Sequence, residues 1–285
     1  MEKQQMLMKS MYAKSKSLSI PYENLLSGCA IEKIIEQLFS DKEKENFALV
    51  GASCLGMSYY QKCLPKRIAL RYFEKEGYPD LIYNSLCTNF LETGIELDLD
   101  RLIEKKEELK VIVKVPIEQI VIEIELELKP AILGKSYGAR ESIQSILGNN
   151  RKISYFNYAR EGEIAEKIEH CFYYMELIPE METYSELFHL LEHQVLQGRK
   201  VRDCLYKINT KGIFTKERRE EYLSYHENRE LEERWMNYSK RMKMNELTWK
   251  EVINKCNRFI QPIAKSLEEE DLFFGDWMPE LERFM

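Results

Sequence analysis

Four groups of residues in this sequence have the types and spacing to do chemistry, and each also has an ordinary structural meaning. In "HLLEH", His189 and His193 stand four apart, so on a helix they share a face, and Glu192 would serve as base to a zinc-bound water. No motif supplies a third ligand, and a glutamate-rich helix spells the same pattern by coincidence. In "ELDLD", Asp98 and Asp100 alternate along a strand end and would present two carboxylates to Mg2+. The same pair at a strand-to-helix junction serves as an N-cap. In "EIELELK", Glu123, Glu125 and Glu127 share one strand face, either a solvated outer face or one that places a carboxylate in a cleft as metal ligand or base. Finally, Glu166 and Lys167 in "YAREGEIAEKIEH" with Arg202 and Asp203 in "QGRKVRDCLYKI" make a mixed-charge set that would hold a phosphate-bearing ligand. As isolated charges they are plain helix surface.

These groups need elements to carry them. The stretch "FALVGASCLGMSYYQKCLPKRIALRYFEKEG", residues 47 to 77, reads as a strand, a small-residue turn at Gly51, Ala52 and Ser53, a helix through Tyr60, and a second strand. That order sets phosphates against metal-binding carboxylates in nucleotide-handling folds, yet the second strand has none. Before it, residues 2 to 16 suggest a short polar helix, and Leu25, Leu26, Ile31, Ile34, Ile35 and Leu38 mark a helical face that starts near Pro21. After it, "YPDLIYNSLCTNFLETG" reads as a helix stopped at Gly94, "IELDL" as an edge strand, and "LKVIVKV" and "QIVIEIELELK" as two strands. "ESIQSILGNN" and "SYFNYA" read as connecting pieces. From Glu161 onward the period is helical, with breaks near Pro179, Gly198 and Gly212. The expected fold class is therefore α/β (α+β), a mixed sheet with flanking helices over residues 1–158 and a helical domain over 159–285.

Composition narrows the function classes. A chain of 285 residues with 44% hydrophobic content packs a core and is not disordered. A net charge of −6 argues against a dedicated DNA-binding surface and leaves room for a local basic cleft. The seven cysteines form no C-x-x-C pair and sit mostly in apolar segments, as small buried hydrophobes in a reducing compartment do. Without an apolar leader or a run of roughly 18 apolar residues, the expected localisation is cytoplasmic, with no membrane partner.

The order of "ENLLSGCAIEKIIEQLF", "FALVGAS", "RIALRYF", "GIELDL", "IEIELEL", "YAREGEIAEK" and "GRKVRDCLYKI" resembles the AbiEii/AbiGii toxin family of nucleotidyltransferases, relatives of the polymerase-β type, over residues 20 to about 235. "EGEIAEKIEHC" is the most specific match. The resemblance implies a nucleotidyltransferase-like sheet, a role in toxin–antitoxin or phage-defence systems, and NTP, Mg2+ and RNA as the ligands of an active member, with a cognate protein as a further partner. It implies nucleotide-binding roles for Gly51, Ser53, Arg67, Arg71, Glu166 and Lys167, and catalytic roles for Glu123, Lys167 and Asp203, with Glu125 the alternative to Glu123.

The match departs from the family where the chemistry lies. Against the family's R-x-T-x-D-x-D, Arg67 is kept, but Ala69 stands at the Thr, Arg71 at the first Asp and Phe73 at the second. Val50 replaces the lysine before the turn, Ala52 its second glycine, and Tyr206 the last Asp of the later motif. The expectation is a catalytically degenerate nucleotidyltransferase fold with no metal ligands, acting through a bound nucleotide, RNA or protein. Two alternatives stand beside it: an active enzyme using a shifted set of Asp98, Asp100 and Glu123, and a zinc protein using His189 and His193.

Overall fold

A computed structural model describes residues 9, 11–17, 19–40, 46–51, 67–73, 79–91, 93–103, 108–117, 119–146, 150–209, 211–242, 244 and 246–285. The expected helix through Tyr60 and the residues Ala52, Ser53, Cys54 and Cys63 lie outside them. The chain divides into two compact units, Met1–Tyr158 and Ala159–Met285.

The first unit is a seven-stranded mixed sheet with helices on one face. Its strands are β1 (Phe47–Val50), β2 (Arg67–Tyr72), β3 (Glu96–Ile103), β4 (Glu108–Ile117), β5 (Ile120–Pro130), β6 (Ala139–Gln144) and β7 (Lys152–Asn157), in the spatial order β3-β4-β5-β2-β1-β7-β6. β2 runs parallel to β5 and antiparallel to β1, and β1 runs parallel to β7. Alternation explains the layering, because successive side chains leave opposite faces of a strand. Leu109, Val111, Val113 and Val115 of β4, Ile124, Leu126 and Leu128 of β5, and Ile68 and Leu70 of β2 are buried on one face. The helices α1 (Tyr22–Leu38) and α2 (Pro79–Phe90) bring Ile31, Ile34, Ile35, Ile82 and Leu86, all buried, to the same core. Gln37 of α1 donates to the Asn89 carbonyl of α2, tying the two helices together.

β6 and β7 correct the expectation that residues 141–150 and 154–159 merely connect. They pair antiparallel from Ala139↔Asn157 to Gln144↔Lys152 and complete the sheet beyond β1. Their turn is pinned from outside the hairpin: Ser145 Oγ donates to Glu32 of α1 at 2.8 Å, and the Ile146 amide donates to the same buried carboxyl.

The second unit contains helices α3 (Arg160–Tyr174), α4 (Glu182–His193), α5 (Gly198–Ile208), α6 (Lys216–Leu223), α7 (Arg229–Met242) and α8 (Trp249–Glu268). A small sheet of β8 (Leu196–Gln197), β9 (Asp276–Met278) and β10 (Arg283–Phe284) goes beyond the all-helical expectation. Fully buried Trp235, Trp249, Trp277, Tyr184, Tyr222 and Phe172 build the core, and the Trp277 indole donates to the Leu191 carbonyl at 2.8 Å. A capping box between Thr248 and Glu251 starts α8.

Burial raises the pKa of Glu32 above the ordinary carboxyl value, and the bonds from Ile146 and Ser145 only partly offset it. A raised folded-state pKa adds stability below the unfolded value that is lost as pH rises through the folded one. Comparing wild type with Glu32→Gln in urea titrations, the wild type should therefore gain relative stability as pH is lowered from 7 towards 4.5.

Candidate functional site

β2 lies at the centre of the site because of what flanks it. Its register places Arg67 opposite Glu125, Ala69 opposite Glu127 and Arg71 opposite Lys129 on β5, with Val50 and Ala48 of β1 opposite Ala69 and Arg71. Gly51 follows β1 directly with φ of +72°, in the left-handed region that glycine enters without steric cost. The backbone therefore turns away at the point where β1 meets the start of β2.

The charged face of this sheet is a lattice of opposite charges. Lys129 reaches Glu127 at 2.6 Å and Glu108 at 3.6 Å, Arg67 reaches Glu127 at 3.6 Å, and Lys110 reaches Glu125 at 3.3 Å. Arg71 is 6% exposed, with its guanidinium donating to the Leu70 carbonyl at 3.0 Å and lying 5.9 Å from the Tyr158 ring centroid. Phe73 packs edge-on against Phe156. Burial alone would raise the pKa of Glu127, but Lys129, Arg67 and Arg71 outweigh it and hold the carboxyl below its ordinary value. Glu127 thus sits among three cations.

The other residues singled out from the sequence fall as follows. Gly51, Arg67, Arg71 and Glu123 belong to the first unit, and Ser53 lies outside the described residues. Glu123 is exposed and sits opposite Lys114 of β4, nearer the start of β5 than the residues that flank β2. Asp98 is paired with Lys114 at 3.2 Å, and the Asp100 side chain is outside what is described. Because β4 separates β3 from β5, Lys114 stands between the Asp98 and Glu123 carboxylates.

Glu166, Lys167 and Asp203 belong to the second unit. Lys167 of α3 pairs with Glu163 of its own helix at 3.5 Å and with Glu186 of α4. Glu166 is half-buried on α3. Asp203 of α5 pairs with Arg202 at 3.6 Å and Arg199 at 4.0 Å. His189 and His193 lie with ring centroids 4.5 Å apart and planes tilted by 60°, while Glu192 is held by Lys255 at 3.0 Å. Among the described residues no group of three or more His, Cys, Asp or Glu is placed to hold a metal ion. Burial pushes the thiols of Cys29, Cys171 and Cys204 up to about 12, which leaves them neutral and unreactive.

The sequence reading missed Glu127 and Lys129 as members of this cluster. Alternation put all three glutamates on one face, but only the register with β2 distinguishes them.

No family model matches the chain, and no curated protein matches it in sequence. Among solved structures, JHP933 from Helicobacter pylori is similar at 12% identity and a TM-score of 0.48, over 88% of this chain and 96% of that one. MenT4, a nucleotidyltransferase toxin from Mycobacterium tuberculosis, is similar at 12% identity and a TM-score of 0.46, over 77% of this chain and 72% of that one. TM-scores below 0.5 add nothing to the assignment of individual residues.

Removing the Glu127 charge leaves Arg67, Arg71 and Lys129 facing one another. Since Arg67 and Lys129 are each about a third exposed, Glu127→Gln should destabilise the chain by about 1–3 kcal/mol, less than a fully buried pair would lose. A lowered folded-state pKa gives stability present above the unfolded value and lost as pH falls through the folded one. The wild-type advantage over Glu127→Gln in urea titrations should accordingly shrink below about pH 4.5.

Proposed function

We propose that this chain is a nucleotidyltransferase-fold protein of toxin–antitoxin or phage-defence type that binds nucleotide phosphates without metal-dependent nucleotide transfer. The observation that carries this reading is the register of Arg71 with Lys129. Two-metal phosphoryl chemistry needs carboxylates that converge on divalent ions to align the triphosphate and absorb its developing charge. Here the corresponding β2 position holds an arginine, its β5 neighbour is a lysine, and the nearest carboxylate is already held by both Lys129 and Arg67. At ~4 Å and an effective dielectric near 20, two unit charges interact by about 4 kcal/mol, so each added like charge weighs heavily against Mg2+.

The same charges favour an anion. Among the described residues, Arg67, Arg71, Lys110 and Lys129 share this face with Glu108, Glu125 and Glu127, four cations to three acids. Arg67 and Lys129, each about a third exposed, are the cations a phosphate meets first. Arginine suits this role because its planar donor fork matches phosphate oxygens. In this reading Gly51 gives the backbone turn beside the phosphate, and Glu166, Lys167 and Asp203 serve as ion-pairing groups of the second unit. The alternative, transfer through Asp98, Asp100 and Glu123, is disfavoured by the lysine between Asp98 and Glu123.

The setting belongs to the same reading. Cys29, Cys87, Cys171, Cys204 and Cys256 are unpaired thiols, and no helix among the described residues is long and apolar enough to cross a membrane. Both fit a cytoplasmic protein with a cognate protein partner.

Incubation with labelled NTPs, Mg2+ or Mn2+ and bulk RNA should give no transfer above a no-enzyme control, while nucleotide binding by equilibrium dialysis should survive EDTA. Robust transfer by the unmodified chain would refute the reading. The double substitution Arg71→Asp with Phe73→Asp should create divalent-metal binding, at a cost in stability because Phe73 packs on Phe156.

A further inference from the structure

Helix α5 has a buried side and a basic side that carries an exposed aromatic ring. Val201, Cys204 and Leu205 face the core. Arg199 and Tyr206 are exposed and Asp203 is half-buried, at a spacing of four and three that puts them along one face, with buried Arg202 at its inner edge. Within Gly198–Ile208 there are four basic residues, Arg199, Lys200, Arg202 and Lys207, against the single acid Asp203, in a chain whose net charge is −6.

Two aromatic rings complete this face, and both stand in solvent. Tyr206 is 66% exposed with the Arg202 guanidinium 5.3 Å from its centroid, and Phe274 is 68% exposed with the Arg199 guanidinium 5.6 Å from its centroid. Asp203 pairs with both arginines, so Phe274, Arg199, Asp203, Arg202 and Tyr206 form one continuous line of contacts. The start of the line is fixed by packing. The Gly198 amide donates to the Gly275 carbonyl at 2.9 Å, and a Cβ at Gly198 would meet that oxygen and the Phe273 ring at 2.5 Å. Close backbone contact there sets Phe274 beside Arg199. The Nε of Arg202 is buried and has no hydrogen-bond partner among the described residues.

We infer that this face of α5 is a platform for single-stranded nucleic acid, in which bases stack on Tyr206 and Phe274 while Arg199 and Lys200 meet the phosphates and the buried Arg202 supports the Tyr206 ring. Exposed aromatic rings backed by arginine suit this ligand because every base has a π-face and the backbone is anionic. Arg199 and Tyr206 lie seven residues apart, about 10 Å along the helix axis, which separates the two rings enough to hold different bases of one strand. Tyr206 stands where the resembled family has an aspartate, so this ring is a feature of the chain itself. The inference concerns the second unit and stands whether or not the first unit binds nucleotides.

Fluorescence anisotropy of the full chain with labelled oligo-U, oligo-dT and a duplex of equal length, in EDTA and without NTP, tests it. Single strands should bind in preference to the duplex, and Tyr206→Ala and Phe274→Ala should each weaken binding roughly 5- to 150-fold. Tyr206→Phe should retain binding, since it keeps the stacking ring. Arg199→Gln should lower the slope of log affinity against log salt by about 0.7. Because both rings are mostly exposed, thermal melting of the two alanine variants should match the wild type. Failure to bind single strands, equal affinity for the duplex, or wild-type affinity in both alanine variants would overturn the proposal.

Discussion

Glu127 lies among Arg67, Arg71 and Lys129 in the middle of a seven-stranded sheet, and its ionised carboxyl is what allows three cations to share one face. The apolar side of the same strands is packed against α1 and α2, so β2 and β5 cannot slip relative to one another without exposing Leu70, Leu126 and Leu128. A one-residue slip would also exchange the two faces. Packing on one side therefore fixes the charge pattern on the other. The proposed preference for anions over metal ions rests on that pattern and on no single residue.

The second unit relies on a different constraint. Its interior is aromatic, with Trp235, Trp249, Tyr184, Tyr222 and Phe172 in successive ring contacts. The few buried charges there are paired: Lys255 of α8 meets Glu192 of α4 and Glu282 between β9 and β10, each at 3.0 Å. Lys167 ties α3 to α4 in the same manner. These pairs account for helical charges that look ordinary in sequence, whereas Arg199 of α5 stays exposed beside the exposed Phe274 ring.

Much of the architecture was legible in the sequence because alternation and helical period report directly which side of an element meets the core. β4 and β5, with nine-residue stretches of alternating character, were plain. β6 and β7 were not, since each spans six residues of mixed polarity and gains its place by pairing with a neighbour. β8, β9 and β10 have two or three residues each, too few for any period to show. For the site, the lack of a carboxylate at Arg71 and Phe73 was readable from the chain, but the surroundings of Glu127 were not. Three glutamates at identical spacing differ only in what the adjacent strand places beside them, and parallel pairing of β2 with β5 is a long-range property.

Direct titration with Mn2+, followed by the electron paramagnetic resonance signal of the unbound ion, tests the central claim that this sheet face rejects divalent cations. The account predicts that the wild-type chain leaves the Mn2+ signal at its protein-free intensity through the low-micromolar to ~100 µM range, where a paired-carboxylate site would deplete it. Stoichiometric uptake of one or two ions per chain, abolished by Glu127→Gln, would contradict it, because a carboxylate committed to Lys129 and Arg67 cannot also serve as the metal's ligand.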